Sequence, residues 1–261
     1  MNVKMYQVDA FAGRAFEGNP AAVCLLDSWL DDAVMQLIAA ENNLSETAFV
    51  VQQLTHFEIR WFTPLHEVDL CGHATLASAH ALFMHAGVKD DVITFRSRSG
   101  ELEVARRGHT LEMDLPALMP EPCEIPVDIV KAFGAAPLQC LKATDYIVVF
   151  DEESDVSLLT PDMSRLRNLD ARGVIVTAAS DTYDFVTRMF APKLGIDEDP
   201  VTGSAFCQLI PYWADITRKT QFTAKQVSPR GGYVEGQLNV DRVLLRGTCV
   251  TYLVGEIYLP L

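Results

Sequence analysis

Three short stretches of the 261-residue chain carry residue types that move protons or bind anions. The first contains Glu46, which lies between Ser45 and Thr47 and directly before the apolar run 48–51. A carboxyl group at such a boundary can be partly buried, which raises its pKa and suits it to general acid/base catalysis. The same pattern also fits a turn residue without chemistry, and the sequence leaves both interpretations open.

The other two stretches place a glycine and a polar residue at the start of an apolar helix, as Gly72–His73 and Gly203–Ser204. Glycine allows a positive φ and close approach of a ligand to the backbone. The first N–H groups of a helix lack internal partners and carry partial positive charge, so they can bind a carboxylate without any Lys or Arg. We predict substrate binding by these four residues; ordinary tight turns and helix caps are the alternative.

The strand before each glycine turn has the same residues at the same spacing. The matched residues are Phe57, Arg60, Phe62 and Pro64 in the first half and Phe185, Arg188, Phe190 and Pro192 in the second. An acidic residue, a glycine, a polar residue and an apolar helix follow in both halves. This order predicts an internal duplication, whose equivalent loops we expect to face one ligand cleft between two similar domains.

Apolar patterning predicts mixed α/β structure, with helices at 31–41, 73–86 and 205–217. Strands are expected at 3–8, 21–25, 48–52, 57–62, 92–95, 102–105, 111–114, 146–150, 173–178 and 185–189. The segment 116–126 contains four prolines and is the best linker candidate. We therefore expect an N-terminal domain over 1–115 and a C-terminal domain over 127–261, whose last strand could return to the first domain.

The net charge of −14 argues against nucleic acid and anionic membranes as partners. Because the overall negative charge repels anions, an anionic substrate must be bound by hydrogen-bond donors at the site itself. The two helix starts can supply such donors. No secretory signal or membrane span is apparent, and the six cysteines form no CxxC pair, so we expect a cytoplasmic protein without a structural metal. Glycine patterns for nucleotide binding are also missing.

Several segments, in order along the chain, resemble the PhzF-like (phenazine biosynthesis-like) family, which is related to diaminopimelate epimerase. They are Asp9-Ala10-Phe11, GNPAAV at 18–23, NLSETAFV at 43–50, FTP at 62–64, DLCGHATLASA at 69–79 and DPVTGSA at 199–205. The resemblance implies two α/β domains, each a curved sheet or incomplete barrel around a central helix, with the active site between them. It also implies a homodimer, and catalysis without a metal or organic cofactor.

The resemblance places the family's acid/base glutamate on Glu46, and its histidine, aspartate and serine on His73, Asp199 and Ser204. In the phenazine enzyme these residues act on a dihydro-hydroxyanthranilate, where the glutamate shifts a proton between carbons. Asn19 is a further candidate for contact with the substrate.

Epimerases of this fold use two cysteines, one on each turn. Here the first position is Cys71, and its counterpart is expected at Pro200, which has no acid/base chemistry. The sequence therefore predicts a cofactor-independent isomerase that shifts a proton on a small acidic metabolite with one base. An amino- or hydroxy-acid epimerase or racemase, and a non-catalytic small-molecule-binding protein, remain alternatives.

Overall fold

Residues 1–259 of the computed structural model form two units of mixed α/β structure. The first unit comprises Met1–Asp114 and the chain from Arg246 onward, and the second comprises Leu115–Leu245. The chain passes between the units within two of its strands, and its final strand belongs to the first unit.

The first unit is built from a sheet and two helices. Its elements are β1 (Asn2–Ala10), β2 (Asn19–Leu26), α1 (Asp32–Asn42), β3 (Glu46–Gln52), β4 (Phe57–Phe62), β5 (Glu67–Val68), α2 (Gly72–His85), β6 (Val92–Ser97), β7 (Gly100–Arg107) and β8 (Thr110–Pro116).

The second unit adds two short helices to the same plan. Its elements are β9 (Glu121–Pro122), α3 (Val127–Phe133), β10 (Gln139–Lys142), β11 (Tyr146–Val149), α4 (Glu153–Ser157), α5 (Met163–Leu166), β12 (Val174–Ala179), β13 (Phe185–Ala191), β14 (Ile196–Asp199), α6 (Gly203–Thr217), β15 (Gln221–Gln226), β16 (Gly232–Asn239) and β17 (Arg242–Gly247). The last strand, β18 (Cys249–Tyr258), pairs with β1.

The two units repeat one strand topology, which confirms the predicted duplication. In the first, β3 runs parallel to β2 and antiparallel to β4, β4 runs parallel to β6, and β6 pairs antiparallel with β7. In the second, β12 runs parallel to β11 and antiparallel to β13, β13 runs parallel to β15, and β15 pairs antiparallel with β16.

The matched arginines perform the same task in both units. Arg60 donates from Nε and Nη2 to the two carboxylate oxygens of Glu67, both at 2.7 Å. Arg188 does so with Glu198, at 2.7 and 2.9 Å. Paired N–H donors fit a carboxylate in only one orientation, so each arginine fixes the hairpin that leads to a glycine turn.

Each unit has one helix that is apolar on nearly all sides. Ten of the fourteen residues of α2 are buried, and eleven of the fifteen of α6. Such a helix must be covered on several faces, which agrees with the expected central helix. No helix within residues 1–259 is both long and apolar enough to span a membrane.

The proline-rich segment expected as a linker packs on the second unit. The backbone N–H of Ala117 donates to the carbonyl oxygen of Asp241 at 2.8 Å, and that of Leu118 donates to the carbonyl oxygen of Cys207 at 2.9 Å. Further on, β9 pairs with β10. Proline is tolerated in a two-residue strand of this kind because few ladder hydrogen bonds need its missing N–H.

Candidate active site

The start of α2 collects the predicted residues of the first unit. His73 lies in the first turn of α2, while Asn19 and Glu46 are the first residues of β2 and β3. Those two strands are parallel and in register at Ala21 and Glu46, so their first residues lie at one edge of the sheet. The fold thus brings together Asn19 and His73, which are 54 residues apart in sequence.

A chain of polar contacts runs through the His73 ring. Its Nε2 lies 3.2 Å from Oε2 of Glu46, and its Nδ1 lies 3.2 Å from Nδ2 of Asn19. Ser45 donates from its hydroxyl to Oδ1 of Asn19 at 3.1 Å, which sets the orientation of that amide. Because an amide nitrogen only donates, Nδ1 of His73 accepts and the ring hydrogen lies on Nε2. Nε2 is the nitrogen nearer Glu46, but it does not meet Oε2 of Glu46 in hydrogen-bond geometry.

Burial keeps His73 neutral. The side chain is 6% exposed, and this desolvation lowers the pKa of His73 from 6.5 to about 3. At neutral pH the ring is therefore an uncharged N–H donor beside the partly buried Glu46 carboxylate. The pair can orient a carboxylate base and stabilise negative charge that develops on a bound molecule.

The buried His73 has a consequence for stability that can be measured. The unfolded chain binds a proton at this residue below pH 6.5, whereas the folded chain does so only near pH 3. Stability should therefore fall as the pH decreases through this window, by about 1.4 kcal/mol per pH unit for one such histidine. Burial, with a contribution from His85, lowers the pKa of His80 to about 4, so His80 acts in the same direction.

Urea unfolding of His73→Gln between pH 4 and 6 checks this expectation. In this variant the free energy of unfolding should change less steeply with pH, by the contribution of one bound proton. His109→Gln, at an exposed turn, should retain the wild-type pH dependence. An undiminished slope in His73→Gln would mean that His73 is protonated in the folded protein as well.

Cys71 is the residue before α2, and its Sγ lies 3.5 Å from Nδ1 of His73. Ligand atoms of Glu46, Cys71 and His73 all lie within 4.8 Å of one another, and these are residue types that bind zinc. The thiol, however, contacts one ring nitrogen and the carboxylate contacts the other. An ion bound in the ring plane at one nitrogen would be poorly placed for both groups, so the arrangement favours proton handling.

The start of α6 is a tightly hydrogen-bonded turn. Thr202 donates from its hydroxyl to Oδ2 of Asp199. The buried Gln226 accepts from the Thr202 N–H at 2.9 Å and donates to the Asp199 carbonyl at 2.7 Å. These bonds fix the backbone that presents Gly203 and Ser204 at the first turn of the helix.

Two expectations for the turns need correction. Gly72 and Gly203 are the first helical residues and do not have a positive φ. What glycine provides here is a backbone that no side chain covers, rather than a left-handed conformation. The counterpart of Cys71 is Thr202, not Pro200, because each directly precedes its helix. The second turn is one residue longer between the acid and the glycine, so counting from the acid gives Val201, and only the helix start identifies Thr202. Thr202 still supplies no second thiol.

Arg172, which lies two residues before β12, contacts the second turn and was missed by sequence reasoning. It donates from Nη2 to Oγ of Ser204 at 2.8 Å, and from Nε and Nη2 to the two carboxylate oxygens of Asp145, at 3.0 and 2.6 Å. We had expected no cationic side chain at this helix start, and the contact with Arg172 corrects that expectation. The repeat contains a signal for this residue: pairing of Thr47 with Phe62 and of Val174 with Phe190 makes Arg172 the counterpart of Ser45.

Comparison with known proteins places the chain in a family. Residues 8–255 match the family model described as phenazine biosynthesis-like protein. The chain belongs to this family. A Pseudomonas aeruginosa protein named as an uncharacterised isomerase is 50% identical over 259 residues, covering 99% of this chain and 100% of that protein. The relationship supports an isomerase at the level of the family.

Solved structures agree on the fold. A PhzF-family protein of Enterococcus faecalis superposes with a TM-score of 0.97 at 46% identity, covering 99% of this chain and 100% of that one. A hydroxyproline epimerase of Agrobacterium vitis gives a TM-score of 0.67 at 9% identity, covering 98% and 92%, and shows the fold alone. The diaminopimelate epimerase-like fold expected from the sequence is confirmed.

Proposed function

We propose that the protein is a cofactor-independent isomerase that shifts a proton on a small carboxylate-bearing substrate, with Glu46 as the acid/base. The observation that carries this proposal is the 3.2 Å contact between Oε2 of Glu46 and Nε2 of the buried, neutral His73. A carboxylate beside a neutral imidazole keeps its capacity to accept a proton, which a charged imidazolium in that place would reduce.

In the proposed reaction Glu46 removes a proton from a carbon made acidic by an adjacent unsaturated group. The electron pair of the broken C–H bond forms a new double bond, the π electrons of the existing double bond move to its far carbon, and the same carboxyl group returns the proton to that carbon. Atoms and electrons balance without an oxidant or a cofactor. His73 lies beside Glu46 and donates its one ring hydrogen, on Nε2, to charge that develops on the substrate.

The remaining predicted residues take roles in binding. Backbone N–H groups at Gly72 and Gly203, at the starts of α2 and α6, are suited to a carboxylate. Asp199 and Ser204 are assigned to orienting the substrate and relaying protons. Asn19 contacts Nδ1 of His73 and so acts on the substrate through that ring.

The repeat itself favours one base over two. The strand pairing that matches Thr47 with Val174 makes Gly173 the counterpart of Glu46. Glycine has no acid/base group, and Thr202 at the other turn has no thiol. An epimerase with opposed bases would need a second acid/base group, and this chain has none at either matched position, Gly173 or Thr202.

Proton NMR in D2O tests the proposal against its alternatives. The panel contains a dihydro-hydroxyanthranilate, the substrate class that the family resemblance implies, and trans-4-hydroxy-L-proline, which is bound in the Agrobacterium vitis epimerase structure. We expect a double-bond shift on a cyclic carboxylate of the first kind. Inversion with deuterium at the stereocentre would favour an epimerase, and binding without any exchange would favour a binding protein.

A further inference from the structure

The hydrogen bond from Arg172 determines what the Ser204 hydroxyl can do. A guanidinium only donates, so Oγ of Ser204 is the acceptor in the 2.8 Å contact with Nη2. The hydroxyl's own hydrogen must then point to a different acceptor. Ser204 is partly exposed in the first turn of α6, where a bound anion would provide one.

Arg172 is itself held firmly. Asp145 is fully buried and receives two of its hydrogen bonds, at 3.0 and 2.6 Å. Gln208, one turn along α6 from Ser204, donates to Asp145 at 2.9 Å and accepts from the Asp145 backbone N–H at 3.1 Å. Burial disfavours the charged guanidinium, but hydrogen bonds and charge from Asp145 outweigh it, so the pKa of Arg172 is raised.

The first repeat uses the matching position in a similar way. Ser45, the counterpart of Arg172, donates to Asn19, and Asn19 donates to His73 in the first turn of α2. In both repeats, therefore, this position is linked by hydrogen bonds to the second residue of the helix, through Asn19 in the first repeat and directly in the second.

We propose that Arg172 is a positioning residue that makes Ser204 a hydrogen-bond donor to the carboxylate of the substrate. Asp145 offsets most of the charge of the arginine, so Arg172 acts through orientation of the hydroxyl more than through long-range attraction. The inference rests on the proposed function because it concerns the same substrate.

A binding cycle with 3-hydroxyanthranilate tests the inference by calorimetry. This probe is the aromatic form of the implied substrate class and has no proton to shift, and 2-aminophenol is the same molecule without the carboxylate. The variants are Ser204→Ala, the double variant Asp145→Asn/Arg172→Gln, and the triple variant. The double variant keeps neutral amide partners in the buried pair, so it avoids leaving Asp145 charged and unpaired.

We expect Ser204→Ala and the double variant each to weaken 3-hydroxyanthranilate binding by about 10-fold, the scale of one hydrogen bond to a charged group. The triple variant should bind no more weakly than Ser204→Ala, and 2-aminophenol should bind all variants equally. Arg165→Gln, which removes a partly exposed arginine, serves as the control and should bind like the wild type.

Three results would overturn the inference: wild-type affinity in the double variant, losses that multiply in the triple variant, or a wild-type protein that does not distinguish the two probes. Each of these concerns binding. The acid/base role of Glu46 is tested by turnover, so failure of one proposal is distinguishable from failure of the other.

Discussion

Replacing Glu46 with glutamine is expected to lower turnover by about 10²–10⁴-fold, the usual contribution of a positioned general acid/base. Glutamine has nearly the same shape and can still contact Nε2 of His73, which lies 3.2 Å from the present carboxylate oxygen. It cannot accept a proton from carbon. Binding of 3-hydroxyanthranilate should therefore stay within a few-fold of the wild type while the rate constant for the proton shift falls.

The matched control is Glu41→Gln, which makes the same change at an exposed position of α1. This variant should keep both turnover and binding. The measurement is steady-state turnover of the compound that reacts in the NMR panel, with binding by calorimetry. Near-normal turnover by Glu46→Gln would remove Glu46 from the mechanism.

Replacing Asp145 with alanine is expected to destabilise the second unit by about 3–5 kcal/mol. The change leaves the mostly buried Arg172 guanidinium without its partner and removes the acceptor for Gln208. Losing one member of a buried ion pair typically costs this much because the other charge stays desolvated. Urea unfolding should show a lower midpoint, and Asp145→Asn should lose less.

Asp170→Ala is the control for this second prediction. Asp170 pairs with Lys142 at 2.8 Å and accepts from the Tyr146 hydroxyl at 2.6 Å, but its side chain is 75% exposed. Water replaces the lost partner at such a site, so stability should change little. Equal losses in the Asp145 and Asp170 variants would show that burial of Asp145 does not decide the energetics of its pair.

The sequence predicted most of the fold because periodicity and repetition are local signals. The strand Phe57–Phe62 has the predicted bounds, and both central helices begin within two residues of their expected starts. The structure of the linker was harder to predict. Its prolines indicated a break in regular structure, but they did not indicate that Ala117 and Leu118 hydrogen-bond to the second unit.

The candidate catalytic side chains were easier to find than the residues that support them. Glu46 and His73 belong to recognisable segments, and the structure brings them into contact. Arg172 and Asp145 belong to no such segment, because what matters is a pairing across 27 residues that only the folded second unit creates. The wrong expectation of Pro200 as the counterpart of Cys71 has a similar cause, since the residue directly before α6 is identified only once the start of the helix is known.

The most direct test of the central claim follows the proton itself. The reacting compound from the NMR panel is deuterated at the carbon that loses its proton, and a single turnover is run in H2O. If one carboxyl group carries the proton, part of the deuterium appears at the receiving carbon, on the face from which it left. Product with the new hydrogen on the opposite face and no retained deuterium would contradict a one-base mechanism centred on Glu46.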